Sequence, residues 1–281
     1  MARSLGKAGG CIVVAALGLF LLNLSTWWSP LRAPDLEACE GYFLQDVTLS
    51  HTEALAEIGR RPGEGDLEYT RRMVRVVGQS LAHIWTGDHY RGEGVERFHA
   101  RLPLNENWLL YLYAGGEPYE FADPLRTLER GIGLCSQHAL CLAGLLEREG
   151  IEVSLVGLSG HVLTQVEVEG RAYLCDPDFK VIVPHGLEEV GKNPELVRPF
   201  YAPVFASEVA SDAKFGLDDM VETFGAEGNS LRGGVSHYLG SRRVKIERYS
   251  YWAIWALPSA LLALGLSLLW LARRSAPVRE D

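Results

Sequence analysis

Two stretches of 24 residues without one charged side chain, 8–31 and 249–272, bracket this 281-residue chain and limit what it can fold into. A bilayer core about 30 Å thick is crossed by a helix of roughly 20 apolar residues, so each stretch predicts a membrane span. The first follows Arg3 and Lys7 and ends in Trp27-Trp28-Ser-Pro30. A cleaved signal peptide would end in small residues, whereas a Trp pair fits an interfacial anchor. The second stretch carries Tyr249, Tyr251, Trp252 and Trp255 near one end, Trp270 near the other, and Arg273-Arg274 directly after. Aromatic belts with a terminal Arg pair are unusual for a buried core helix. Pro258 marks a possible kink.

Charge divides the chain in the same way. Residues 34–240 hold 17 basic and 33 acidic side chains, a net −16, against +3 for 1–33 and +4 for 241–281. The whole-chain net of −9 and hydrophobic fraction of 47% therefore average over unlike parts. An acidic domain repels phosphate backbones, which argues against nucleic acid as a partner. The flanks of the two spans carry equal numbers of Lys and Arg on each side, so orientation rests on Arg3 and Lys7 ahead of the first span. The expected layout is a cytoplasmic tail at 1–7, a membrane helix at 8–29 and a linker at 30–49. An extracytoplasmic (periplasmic) domain follows at 50–240, then a second membrane helix at 249–272 and a cytoplasmic tail at 273–281. That places the protein in a bacterial cytoplasmic membrane.

Helices dominate the first part of the domain. Ser50-His-Thr-Glu53 has the form of a capping box, opening a short helix to about Gly59. Asp66 caps a longer one, expected over 67–85, with apolar residues at Met73, Val76, Val77, Leu81 and Ile84. Further helical segments are expected at 108–113 and 122–129. After Gly133, residues 134–147 are rich in Ala and Leu on nearly all sides and predict a buried helix that Gly150 ends. The period then changes to two. Residues 151–158 predict a strand, and 162–168 alternate as a second. Glu169-Gly170 is a tight-turn pair, and 171–175 returns as a third strand. Residues 186–240 read as helix and loop, with a strand near 235–239. The expected fold class is α+β, helices followed by an antiparallel sheet.

Three residues carry chemistry in this layout. Cys135 opens the buried helix, where backbone N–H groups and the helix dipole favour a thiolate. His161 opens the first strand of the hairpin and Asp176 ends its partner strand, so both fall near the same open end. If that end lies over the helix start, nucleophile, base and orienting carboxylate meet in Cys–His–Asp order. Asp178 is a rival orienting group. Cys141 and Cys175 read as core, with a disulfide to Cys39 or Cys141 as a lesser alternative for Cys175. His83, His89 and His99 read as surface or loop residues. Cys135, His138 and Cys141 lack the paired spacing of a zinc site, so no metal and no cofactor are expected. With Cys11 in a span and Cys135 a free thiol, at most one disulfide can form.

The runs Arg130-Gly-Ile-Gly-Leu-Cys135-Ser-Gln-His-Ala139, Gly160-His161-Val-Leu-Thr-Gln-Val-Glu-Val168 and Tyr173-Leu-Cys-Asp176-Pro177 together resemble transglutaminase-like domains. The resemblance spans 124–184. It implies a papain-like core, a helix bearing the cysteine packed on an antiparallel sheet, between the two membrane helices. It also implies thiol acyl transfer by Cys135, His161 and Asp176 on an amide of a protein, peptide or peptidoglycan-like substrate. An aromatic residue near the cysteine is common in the family. Leu134 is not aromatic, and Asn107 and Trp108 are the candidates for a second oxyanion donor. Some members have lost activity, so the alternative is a degenerate module that binds partners in an envelope assembly. Arylamine acetyltransferases share the triad order, but a cytosolic cofactor-dependent enzyme has no need of two membrane spans.

Overall fold

The computed structural model describes residues 2–33, 36, 47–84, 99–206 and 216–275. It is a mixed α+β protein that divides into two compact units, residues 1–31, 102–117 and 245–281 in one and residues 32–101 and 118–244 in the other.

The first unit is helical: α1 (Ala2–Leu24), a 3₁₀ turn at Ser25–Trp27, α4 (Trp108–Ala114) and most of α11 (Ser241–Arg274). Helices α1 and α11 are each long and apolar enough to cross a membrane, which fits a two-span membrane protein. Their large apolar side chains point outward: Val14 and Leu21 are 70% and 68% exposed, and Leu264 and Leu266 about half. Small residues line the contact between them. A Cβ on Gly9 would lie 2.8 Å from the Gly265 carbonyl oxygen, so glycine is what lets the two backbones approach. Helix α1 begins ahead of its uncharged stretch and ends within it, whereas α11 exceeds its stretch at both ends. Helix α11 starts at Ser241 because Arg, Lys and Glu are good helix formers and extend it beyond the apolar run.

Helix α11 also runs through Pro258 without interruption. Proline has no N–H to donate to the carbonyl four residues earlier, which is that of Ile254. The Asn23 side chain of α1 fills the vacancy, donating from Nδ2 to the Ile254 oxygen at 2.6 Å. A neighbouring helix thus satisfies the carbonyl that proline frees, and an amide in an apolar helix acquires its reason.

The second unit begins with α2 (His51–Glu57), whose Ser50–Glu53 capping box is formed as expected. Helix α3 (Asp66–Ser80) is shorter than the expected 67–85. Leu81 turns extended, and β1 (Ala82–His83) pairs in parallel with β2 (Ile132–Gly133), which follows α5 (Pro124–Arg130). Tertiary pairing overrides the helical pattern there; Trp85 lies outside the described residues. Helix α6 (Cys135–Arg148) leads into β3 (Val153–Leu158), β4 (His161–Val168), β5 (Arg171–Asp176) and β6 (Val181–Val183). Glu169 and Gly170 both adopt positive φ, as the tight hairpin turn requires. Then come α7 (Leu187–Lys192), α8 (Arg198–Phe205), α9 (Leu217–Gly225), β7 (Ser230–Gly233) and α10 (Gly234–Leu239).

The sheet order is β6-β5-β4-β3-β7, antiparallel throughout. The strand expected at 235–239 is helix α10, and the strand lies just before it. Val235, Tyr238 and Leu239 have the spacing of one helical face, and they pack on the core. One sheet face, with Leu155, Val166 and Tyr173, packs on α3 and α6. The other, with Val156, Leu163 and Leu174, packs on α7, α8 and α9 through Val190, Tyr201 and Phe224. Both faces are covered, so the strands are apolar on both sides.

Candidate active site

The run ahead of Cys135 is held by a buried arginine. Arg130 donates from Nε to the Ile132 carbonyl at 3.0 Å, and from its terminal nitrogens to the carbonyls of Ala100 and Tyr119 and to Gln137 Oε1. Its guanidinium also lies 4.7 Å from the Phe121 ring centroid. Gln137 returns its amide to the Phe121 carbonyl and Thr127 Oγ1, each at 3.0 Å. Gly131 ends α5 at φ +72, and a Cβ on Gly133 would collide with the Gln137 side chain. The motif residues Arg130, Gly131, Gly133 and Gln137 therefore build the turn that delivers Cys135 as the first residue of α6. First-turn N–H groups have no partner within their helix, so the sulfur sits beside backbone donors.

His161 and Asp176 come from neighbouring strands. Thr164 pairs with Cys175, so the next step sets Leu163 against Asp176, and His161 lies two residues further along the same face. His161 Nε2 is 2.8 Å from Asp176 Oδ2, both side chains buried. With Nε2 so engaged, Nδ1 is the ring atom left to face Cys135, whose side chain lies close enough to His161 to favour its charged form. The structure thus brings together the three residues that the sequence singles out.

A fourth member was not legible in the sequence. Tyr201 of α8, fully buried, donates its hydroxyl to Asp176 Oδ2 at 2.7 Å. The backbone N–H groups of Asp178 and Phe179 donate to Asp176 Oδ1 at 3.1 and 3.3 Å. Phe179 also sets its ring edge-on to His161, centroids 5.6 Å apart. The carboxylate is therefore fixed on both oxygens. Burial opposes charge on His161, yet the Asp176 charge, its hydrogen bond and the Cys135 sulfur outweigh it and hold the imidazole well above its ordinary value. Burial and the same carboxylate push the Tyr201 hydroxyl up, so it remains a donor. The arrangement sets a thiol at a helix start beside a charged, braced imidazole, the parts that nucleophilic attack and proton delivery require.

The other cysteines separate cleanly. Cys141 and Cys175 are free and fully buried, and burial pushes both thiols well up, which makes them inert core residues. Cys135 is half-buried and reachable. Cys39 and His89 lie outside the described residues, and His99 is exposed.

One candidate is already engaged, and one expectation requires correction. Asn107 was a candidate oxyanion donor, but its amide is committed: Oδ1 caps α4 through the Leu110 N–H at 3.1 Å, and Nδ2 donates to Ser250 Oγ at 2.9 Å. The apolar pull of Trp108 to Ala114 sorts that segment with the membrane-like helices. His83, expected at the surface, is instead largely buried, with Nδ1 2.8 Å from Asp178 Oδ2. The β1–β2 pairing, set by only two residues, carries it there. Asp178 consequently serves His83 and is not the orienting group of His161.

No family model matches the chain, and no curated protein matches it. Among solved structures it matches a crystal structure of Rad4–Rad23 bound to a 6-4 photoproduct UV lesion. Identity is 10% over 98% of this chain and 60% of that one, with a TM-score of 0.26, too low to carry an argument.

Proposed function

We propose that this protein is a membrane-anchored thiol enzyme of the transglutaminase-like kind, acting on an amide or peptide carbonyl. Its two apolar end helices hold the acidic domain at the outer face of a cytoplasmic membrane. The observation that carries the reading is the hydrogen-bonded line His161–Asp176–Tyr201 beside Cys135 at the start of α6.

The Cys135 thiolate attacks the carbonyl carbon, and the Cys135 backbone N–H at the start of α6 faces the developing oxyanion. The C–N bond breaks as the His161 imidazolium gives its proton to the leaving amine, leaving a thioester on Cys135. Water or a second amine then attacks the thioester. His161 takes the proton of that nucleophile, and the thiolate is expelled. Asp176 holds the imidazole in the required tautomer throughout, itself held by Tyr201 and two backbone donors.

The test is labelling of the full chain in detergent with an iodoacetamide-type probe near neutral pH. Labelling of one fast thiol is expected, absent in Cys135→Ala, unchanged in Cys141→Ala and slowed at least about tenfold in His161→Ala, on the scale of a general-base contribution. Equal slow labelling of wild type and Cys135→Ala overturns the reading and leaves a binding module without catalysis. Mass spectrometry of an adduct on Cys135 after incubation with envelope peptides or peptidoglycan fragments would then identify the acyl donor.

A further inference from the structure

Beside the triad lies a second buried cluster that the acyl-transfer chemistry does not use. His83 of β1, His138 of α6 and Asp178 of the β5–β6 turn come from three separate stretches of chain. Their ligand atoms all lie within 4.8 Å of one another. His83 Nδ1 is 2.9 and 2.8 Å from the two oxygens of Asp178, and His138 Nε2 is 3.7 Å from Asp178 Oδ1. His138 and Asp178 are almost wholly buried, and His83 has only a small exposed edge.

The surroundings of His138 set the problem. Its Nδ1 faces the Leu134 carbonyl oxygen at 2.9 Å, and its Nε2 faces the Leu81 carbonyl oxygen at 3.2 Å and the Asp178 carboxylate beyond. Every neighbour of both nitrogens is an acceptor. A neutral imidazole has one N–H, so one nitrogen must present its lone pair to oxygen. A cation between Nε2 and those oxygens resolves the conflict. A second proton would do so only by charging a ring shut away from water, which burial disfavours.

We propose that His83 Nδ1, His138 Nε2 and Asp178 bind one divalent transition-metal ion of the zinc class, with the Leu81 carbonyl or a water in the fourth position. Zinc takes nitrogen and oxygen ligands at ~2.0–2.2 Å, which puts neighbouring ligand atoms about 3.3–3.6 Å apart. The two imidazoles stand 2.8 and 3.7 Å from the Asp178 carboxylate, around that range, and all three ligand atoms lie within 4.8 Å of one another, so a small closing of the histidines meets it. The Leu134 carbonyl fixes the His138 tautomer by accepting from Nδ1–H, the usual outer partner of a ligating histidine. Asp178 is already ionised: burial opposes this, but His83 and His138 outweigh it.

The ion would join β1, α6 and the turn after Asp176. That turn donates the Asp178 N–H to Asp176 Oδ1, and His138 lies one helical turn beyond Cys135. The proposal does not depend on the acyl-transfer reading, because binding is measured without activity.

The full chain, purified in detergent and stripped with a chelator, is dialysed against micromolar Zn²⁺ or Co²⁺ and assayed by elemental analysis. About one ion per chain is expected, with a raised melting temperature as for any ligand that binds the folded state. Binding should fall at least tenfold in His83→Gln and in Asp178→Asn and persist in Cys135→Ala. The Co²⁺ form of the wild-type chain should show visible ligand-field bands with no thiolate-to-metal charge transfer, a readout that does not rely on the variants folding. No retained ion overturns the proposal and leaves a buried ion pair only. Equal retention by both variants overturns it, and so does a thiolate charge-transfer band.

Discussion

The helical unit and the α+β unit bury their polar groups under opposite conditions. In the helical unit large apolar side chains such as Leu21 face outward, glycines face inward, and one amide, Asn23, repairs one carbonyl at Ile254. In the other unit Leu140 and its neighbours are inside, and buried polar side chains form networks around Arg130, His161 and His138. The helical unit thus uses buried polar contacts to mend the helix at the proline and to tie α4 to α11 through Asn107 and Ser250. The α+β unit concentrates polar contacts, at a cost in desolvation, around His161 and His138.

The sharpest way to break this contrast is to truncate a leucine in each unit. Leu140→Ala empties a fully buried position on α6 and is expected to cost ~2–5 kcal/mol. Leu21→Ala, on an outward face, should stay within about 0.5 kcal/mol. Thermal melting of the full chain in detergent checks both, and equal losses would remove the distinction between inside and outside.

Next come the groups behind His161. Tyr201→Phe leaves Asp176 short of a buried donor and should cost ~1–3 kcal/mol while slowing probe labelling at Cys135. Asp176→Asn should also move the His161 titration down, read by histidine NMR. The sign follows from linkage. A folded-state value raised above the ordinary one contributes stability at low pH, and that stability is lost as pH rises through the raised value. Without the carboxylate the loss falls at lower pH; an unmoved titration would remove Asp176 from its positioning role.

Within the helical unit the analogous test is a cycle between Asn23 and Pro258. Asn23→Ala should cost about 1 kcal/mol when Pro258 is present and much less in Pro258→Ala, where the chain supplies its own N–H. Additive losses would mean that Asn23 does not serve the proline gap.

The smallest effect lies far from both centres. Glu64 is held down to about 2 by hydrogen bonds from Arg72, which meets both its oxygens. A depressed carboxylate contributes stability above its ordinary 4.5 and loses it as pH falls toward 2. Glu64→Gln should therefore lower the melting temperature slightly at neutral pH, flatten it across that window and meet the wild type near pH 2.

Much of this could be read along the chain because its causes are local. Charge-free stretches mark the apolar helices, Ser50 and Glu53 cap α2, and the period of two through Val162–Val168 with the Glu169-Gly170 turn specifies the hairpin. Those same local rules place His161 and Asp176 on adjacent strand ends and Cys135 on a helix start. The spacing of Val235, Tyr238 and Leu239 was also legible, and a helix is what it encodes.

What the sequence could not decide depends on chain segments that meet only when folded. Two residues of β1 have no periodicity to detect, yet their pairing with β2 carries His83 into the interior beside Asp178. Tyr201 lies in a helix of no distinctive pattern, and its partner is 25 residues away. Whether a tyrosine is a surface residue or the brace of a carboxylate depends on which face of α8 the sheet covers. The sequence determined the elements and the chemical types, because helix, strand and turn preferences act over a few residues. The tertiary structure alone decided which of eight histidines share a site, because a buried polar group is tolerated only where distant segments supply its partners.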